Sequence, residues 1–128
     1  MDSIASKRNS HNRTLGMVGE DLAVRELERR GMEIIDRNWR CREGEVDIVA
    51  RTPAGTIGFV EVKTRATHRC GTPAEQITAR KLARMRRVAG AWLGAHREVT
   101  STSIRLDLMC VDWDGIGTPT LDYREAIQ

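Results

Sequence analysis

The chain lacks the features that would place it in several large classes. No stretch of its 128 residues approaches the apolar length that crosses a bilayer, and Met1 to Thr14 is polar and mildly basic, without the apolar run of a signal peptide. A cytoplasmic protein with no membrane partner is expected. Cysteine is sparse: Cys41, Cys70 and Cys110 are odd in number, widely spaced and form no Cys-x-x-Cys pair. Neither a zinc site nor a secreted disulfide scaffold is indicated, and idle thiols are the simplest reading. His11, His68 and His96 form no triad, and there is no glycine-rich phosphate loop, no internal repeat and no interdomain linker.

What is present suits one folded domain. Forty per cent of residues are apolar and 30% charged, enough to bury a core at this length and too apolar for wholesale disorder. The formal net charge of +3 leans toward polyanionic partners, with a weight that depends on where the charges sit.

Residues 1–14 offer almost nothing to bury and read as a mobile arm, leaving 15–128 as a single domain. From Leu15 to about Arg30, Leu15, Val18, Leu22, Ala23 and Leu27 recur at helical spacing, and Gly31 stops the helix. Gly16, Gly19 and Ala23 keep part of its inner surface small, with Glu20 beside that stripe. Met32 to Arg37 reads as a first strand followed by a loop, Asn38 to Gly44. Strands over 45–51 and 56–64, joined by Thr52-Pro53-Ala54-Gly55, form an antiparallel hairpin. A helix from Pro73 to about Gly94 and two closing strands, 103–111 and 121–124, complete an α/β domain of order α-β-β-β-α-β-β.

The chemistry concentrates in the hairpin. In Phe59-Val60-Glu61-Val62-Lys63, side chains alternate, so Phe59, Glu61 and Lys63 share one face while Val60 and Val62 take the other. A strand covered on both faces encloses that charged pair. Asp47 interrupts Val46, Ile48 and Val49 in the neighbouring strand, and a hairpin brings it near Glu61. Two carboxylates that close repel unless they share a proton or a cation. Carboxylate ligands suit Mg²⁺ or Mn²⁺ rather than zinc. Such an ion would polarise a phosphoryl oxygen and activate a water, with Lys63 orienting that water or offsetting developing charge and Glu20 adding a ligand or a supporting hydrogen bond. The competing reading of Glu61 and Lys63 is an ordinary exposed ion pair on a strand.

An acidic residue in a first helix, Gly44-Glu45-Val46-Asp47, Phe59-Val60-Glu61-Val62-Lys63-Thr64-Arg65 and a later helix with Lys81 together resemble the YraN-type family of small bacterial proteins. That uncharacterised family is related to restriction endonucleases and archaeal Holliday junction resolvases. The resemblance spans about residues 16–111 and implies a restriction-endonuclease-like mixed central β-sheet flanked by helices, with Glu20, Asp47, Glu61 and Lys63 at the nuclease positions. Val46 departs from the pattern, which often has Pro before the first Asp.

On a helical wheel, Ile77, Leu82, Met85, Val88, Ala89, Trp92 and Leu93 form one apolar face, and Arg80, Arg84 and Arg87 a separate basic stripe suited to phosphates. Lys81 falls inside the apolar arc, a broken local rule of the kind found at functional sites, and with Gln76 it can reach the charged end of the sheet. Arg37, Arg40, Arg42 and Arg65 flank the hairpin, and Trp39 among them either stacks on a base or covers the core. The expected function is metal-dependent phosphodiester hydrolysis by an endonuclease, with DNA favoured over RNA, and the resolvase resemblance implies branched or damaged DNA in recombination or repair. The alternatives are a non-catalytic nucleic-acid-binding module and a structural partner protein. A homodimer fits the resolvase resemblance, with Trp92, Trp113 and Tyr123 as apolar contact candidates.

Overall fold

Strand-forming runs in the middle of the chain and two helical segments around them assemble, in a computed structural model, into a five-stranded mixed sheet with a helix on each face. The structure describes residues 4–66, 71 and 73–127, and the side chains of residues 15–66, 71 and 75–127. The elements are α1 (Ile4–Arg29), β1 (Glu33–Cys41), β2 (Gly44–Arg51), β3 (Thr56–Arg65), α2 (Pro73–Gln76), α3 (Ala79–Ala95), β4 (Ser103–Asp112) and β5 (Thr120–Arg124). The strands lie in sequence order across the sheet. All neighbours are antiparallel except β3 and β4, which run parallel and are joined by the crossover through α3.

Both faces of the sheet are covered, so the middle stretches of the central strands, such as residues 48–50, 57–60 and 106–111, are buried at consecutive rather than alternate positions. On one face Ala23 and Leu27 of α1 pack with Ile48, Ala50, Val60, Met109 and Val111. On the other, Val88, Ala89 and Trp92 of α3 pack with Val46, Val49, Phe59 and Leu106. The apolar face expected of the second long helix is therefore the face that docks. Gly19 sets the seat of α1: a side chain there would collide with Thr64 of β3, so glycine lets the helix approach the strand closely. Gly16 has no such neighbour, so the small-residue stripe acts through Gly19 and Ala23.

Five expectations need correcting. First, the α1 backbone is helical from Ile4, well before Leu15, so most of the segment read as an arm continues the helix. Propagating an existing helix costs little once it is nucleated, and an apolar stripe is not needed for that. Second, β1 continues through residues 38–41, read as loop; Asn38 stands at φ 52, a left-handed conformation that asparagine tolerates, and keeps the strand going to Cys41. Third, the helix from Pro73 is broken at residues 77–78. Thr78 Oγ1 accepts a hydrogen bond from the Lys81 backbone N–H at 3.1 Å, so α3 starts from its own cap instead of continuing α2. Fourth, Cys41 is a free thiol but Cys110, buried in β4, is disulfide-bonded, against the reading of three idle thiols. Fifth, Trp92 is fully buried, and Trp113 and Tyr123 pack against the α1-side core, so they do not supply the exposed apolar contact once assigned to them. Among the described residues no helix is long and apolar enough to cross a membrane.

Candidate functional site

The β2–β3 ladder runs Arg51↔Ile57, Ala50↔Gly58, Val49↔Phe59 and Ile48↔Val60, and ends there. Beyond it the alternation of β2 is broken: Val46 and Val49 lie in the same core cluster although Ile48 and Ala50 between and beyond them face the other helix. Asp47 occupies the break. Its Oδ2 accepts a hydrogen bond from the Val62 backbone N–H at 2.8 Å, so a side-chain carboxylate takes the place of the next ladder contact. The strands part at this point, and Asp47 and Glu61 are left at an opening between the two helical layers.

Asp47 lines two recesses. On the α1 side an open cleft of about 990 Å³ is bounded by Glu20, Asn38, Arg40, Asp47, Lys63 and Arg65, with Leu15, Gly16 and Met17 of α1 along its rim. On the α3 side a smaller recess of about 180 Å³ is bounded by Glu45, Asp47, Glu61, Lys81 and Arg84 over Met85 and Val88. Glu61 Oε1 carries two lysines, Lys81 Nζ at 2.7 Å and Lys63 Nζ at 3.3 Å. Lys63 comes from the same strand face two residues on, whereas Lys81 reaches across from the first turn of α3. Lys81 thus lies beneath the apolar arc and touches the sheet's acidic end.

At this end Asp47 is the acid displaced from the ordinary carboxylate range. Burial pushes the Asp47 carboxyl up to about 7; the nearby Glu61 charge, with smaller contributions from Glu20 and Glu45, adds to that, while the Val62 N–H pulls the other way. Burial also lowers the Lys63 ammonium, helped by the neighbouring Lys81. For Lys81, burial works against the charge, but the hydrogen bond to Glu61 outweighs it and lifts the pKa.

Glu20 sits on the same cleft, held by Arg37, one of the arginines expected beside the hairpin, and by Asn38, which the sequence did not nominate. Its Oε1 accepts from Asn38 Nδ2 at 2.7 Å and from Arg37 Nη2 at 3.3 Å, and Arg37 also bridges to Asp21 at 2.7 Å. Asn38 is the residue missed; its left-handed backbone turns its amide toward α1, and the asparagine in an apparent loop was the only sign. Gln76 accepts from Arg65 Nη2 at 3.0 Å, tying α2 to the end of β3. Arg40 is exposed at the cleft and 3.5 Å from Glu45. Arg80 and Arg84 are exposed along α3 and form no ion pair among the described residues, and the Arg84 stem packs beside Gly44, where a Cβ would lie 3.2 Å from its Cδ. Trp39 is half-buried against the α3-side core and edge-on to His96, so it covers the core rather than standing free to stack.

No group of three or more His, Cys, Asp or Glu side chains among the described residues forms a ready metal cage. The set available for a cation is the pair Asp47 and Glu61. It matches the donor chemistry of Mg²⁺, which is usually held by one or two carboxylates completed by water and substrate phosphate. Burial raises Asp47 most and the Glu61 charge adds to it, and a cation shared by the two carboxylates would offset both.

The fold and site define a mixed α/β protein with an acidic and lysine-bearing notch at the parted end of a central hairpin. The chain belongs to the uncharacterised protein family UPF0102, whose model matches residues 19–111, a span containing every element of that notch. It is 43% identical over 114 residues to a UPF0102 protein of Mycobacterium sp. (strain KMS), covering 88% of this chain and 84% of the relative. Over 113 residues it is 45% identical to one of Kineococcus radiotolerans, covering 88% and 92%, and 46% identical to one of Beutenbergia cavernae, covering 88% and 94%.

Proposed function

We propose that this protein is a metal-dependent phosphodiester hydrolase of the restriction-endonuclease type, acting on DNA and suited to branched or damaged substrates in recombination or repair. The observation that carries the reading is the juxtaposition of Asp47, Glu61 and two lysines at the point where β2 and β3 separate. A structural ion pair needs no second carboxylate beside it, and a carboxylate raised above its ordinary range by burial and then by a neighbouring acid, in a cleft, supports a functional site.

A divalent ion, when bound, supplies charge neutralisation and polarises the scissile phosphate. Asp47 and Glu61 are the residues that would hold it, through their carboxylate oxygens. Lys63, lining the open cleft, orients the attacking water and offsets charge developing on the phosphate. Glu20 keeps Arg37 and Asn38 packed against α1 and preserves the cleft wall. Arg40 and Arg65 at the cleft, and Gln76, Arg80, Lys81 and Arg84 from α2 and α3, provide contacts for the phosphates on either side. These contacts position the backbone and carry no sequence preference, which fits recognition by shape.

The second reading, a nucleic-acid-binding module without turnover, draws on the same exposed arginines. Calorimetric titration of Mn²⁺ into the wild type and into Asp47→Ala and Glu61→Ala, with and without branched DNA, tests the hydrolase reading. Wild-type binding that both substitutions abolish is expected. Absence of binding by the wild type under either condition overturns it in favour of the binding module.

A further inference from the structure

The two lysines on Glu61 differ in a way that bears on how a metal would enter. Lys63 is fixed to β3 and shares a strand face with Glu61, whereas Lys81 arrives from a separate element and makes the shorter contact, 2.7 Å against 3.3 Å. Lys81 is the third residue after the cap Thr78, in a first turn that contains no acidic residue. The N-terminal end of a helix disfavours a positive charge, so without the Glu61 carboxylate Lys81 is poorly placed. Both lysines address the same oxygen, Oε1, one of the donors that the proposed metal would use.

From this geometry we infer that Lys81 is the resident counter-cation of Glu61, which a divalent ion must displace. The proposal rests on the metal-dependent reading above and makes Lys81 a positioning residue for Glu61. The recess of about 180 Å³ bounded by Lys81 and Arg84 gives the ammonium room to leave Oε1 without unfolding the start of α3. Once Glu61 is shared with the ion, the helix terminus repels the ammonium, and Lys81 turns toward Arg84, where the phosphate of a bound strand would lie. Free protein therefore holds metal weakly, and metal occupancy sets free a cation for substrate.

The exchange is tested by Mn²⁺ calorimetry on the whole chain without nucleic acid, comparing wild type with Lys81→Gln, Lys81→Met and, as a charge control, Arg86→Gln, an exposed position of α3 outside both recesses. Circular dichroism of each variant checks that it is folded, and two different Lys81 replacements guard against a misfolded one. Lys81→Gln and Lys81→Met should tighten Mn²⁺ binding about fivefold to tenfold, because the competing ion pair is gone, while Arg86→Gln should change it less than twofold. Lys81 variants that bind no tighter than a wild type that does bind would overturn the exchange and leave the metal site standing. Equal tightening by Arg86→Gln would overturn it too, because the effect would then be general charge. If no protein in the series binds Mn²⁺, both the exchange and the metal-dependent reading fail.

Discussion

Asp107 on β4 and Asp47 on β2 are both enclosed acids of one sheet, but their oxygens are satisfied in opposite ways. Asp107 is fully buried and accepts from Arg105 Nε at 3.0 and 3.1 Å, from the Ala126 N–H at 2.9 Å and from the Tyr123 hydroxyl. That carboxylate pins β5 and the residues after it to β4. Asp47 accepts one backbone N–H, faces the charges of Glu61, Glu20 and Glu45, and shares a recess with Lys81. A buried acid surrounded by donors is part of the framework, whereas a half-buried acid facing other acids is a candidate for function.

The largest effect should come from breaking the framework corner. Asp107→Ala leaves Arg105, Tyr123 and the Ala126 N–H without their acceptor, and should cost about 3 kcal/mol or more of stability in denaturant unfolding. The same type of change at the other corner should act on activity instead. Glu61→Gln should reduce any metal-stimulated cleavage about 100-fold or more, with stability within about 1 kcal/mol of wild type.

Asp47 sharpens the contrast through pH. Its folded pKa of about 7 stands above the ordinary carboxylate value of 3.8, so the folded state binds the proton more tightly than the unfolded state does. Stability from this group is complete below the unfolded value and is lost as pH rises through about 7. Metal-free wild type should therefore melt at a lower temperature at pH 8 than at pH 5.5, and Asp47→Asn should flatten that difference. The smallest effect belongs to the exposed arginines. Arg84→Ala should leave stability within about 0.5 kcal/mol, while DNA affinity falls and the slope of log K against log salt decreases by about 0.9, measured by anisotropy at several ionic strengths.

Much of the fold was legible in the sequence because periodicity reports burial directly. The largely apolar central strands, the antiparallel β2–β3 hairpin and the docking face of α3 follow from which residues are apolar and how they repeat. Boundaries were less legible where one residue's backbone preference overrode the surrounding pattern. Asn38 looked like a loop and instead keeps β1 running through a left-handed position; Thr78 looked like mid-helix and instead caps α3. At the site, Asp47 and Glu61 stood out as charges in apolar strands, and Lys81 as a cation in an apolar arc. What spacing does not encode is the break in alternation at Val46–Asp47 and the carboxylate-to-backbone bond that parts the strands. The clamp of Arg37 and Asn38 on Glu20 joins residues far apart in the chain, so its pairing appears only after α1 docks on β1.

The most direct test is cleavage and binding measured side by side on branched and linear DNA, in Mg²⁺, Mn²⁺ and chelator, for wild type and Asp47→Asn. Metal-stimulated cleavage by wild type, lost in Asp47→Asn while DNA binding persists, is the result expected of a hydrolytic notch. Cleavage by Asp47→Asn at the wild-type rate, or a wild type that binds DNA and cuts none of these substrates with either metal, would contradict it.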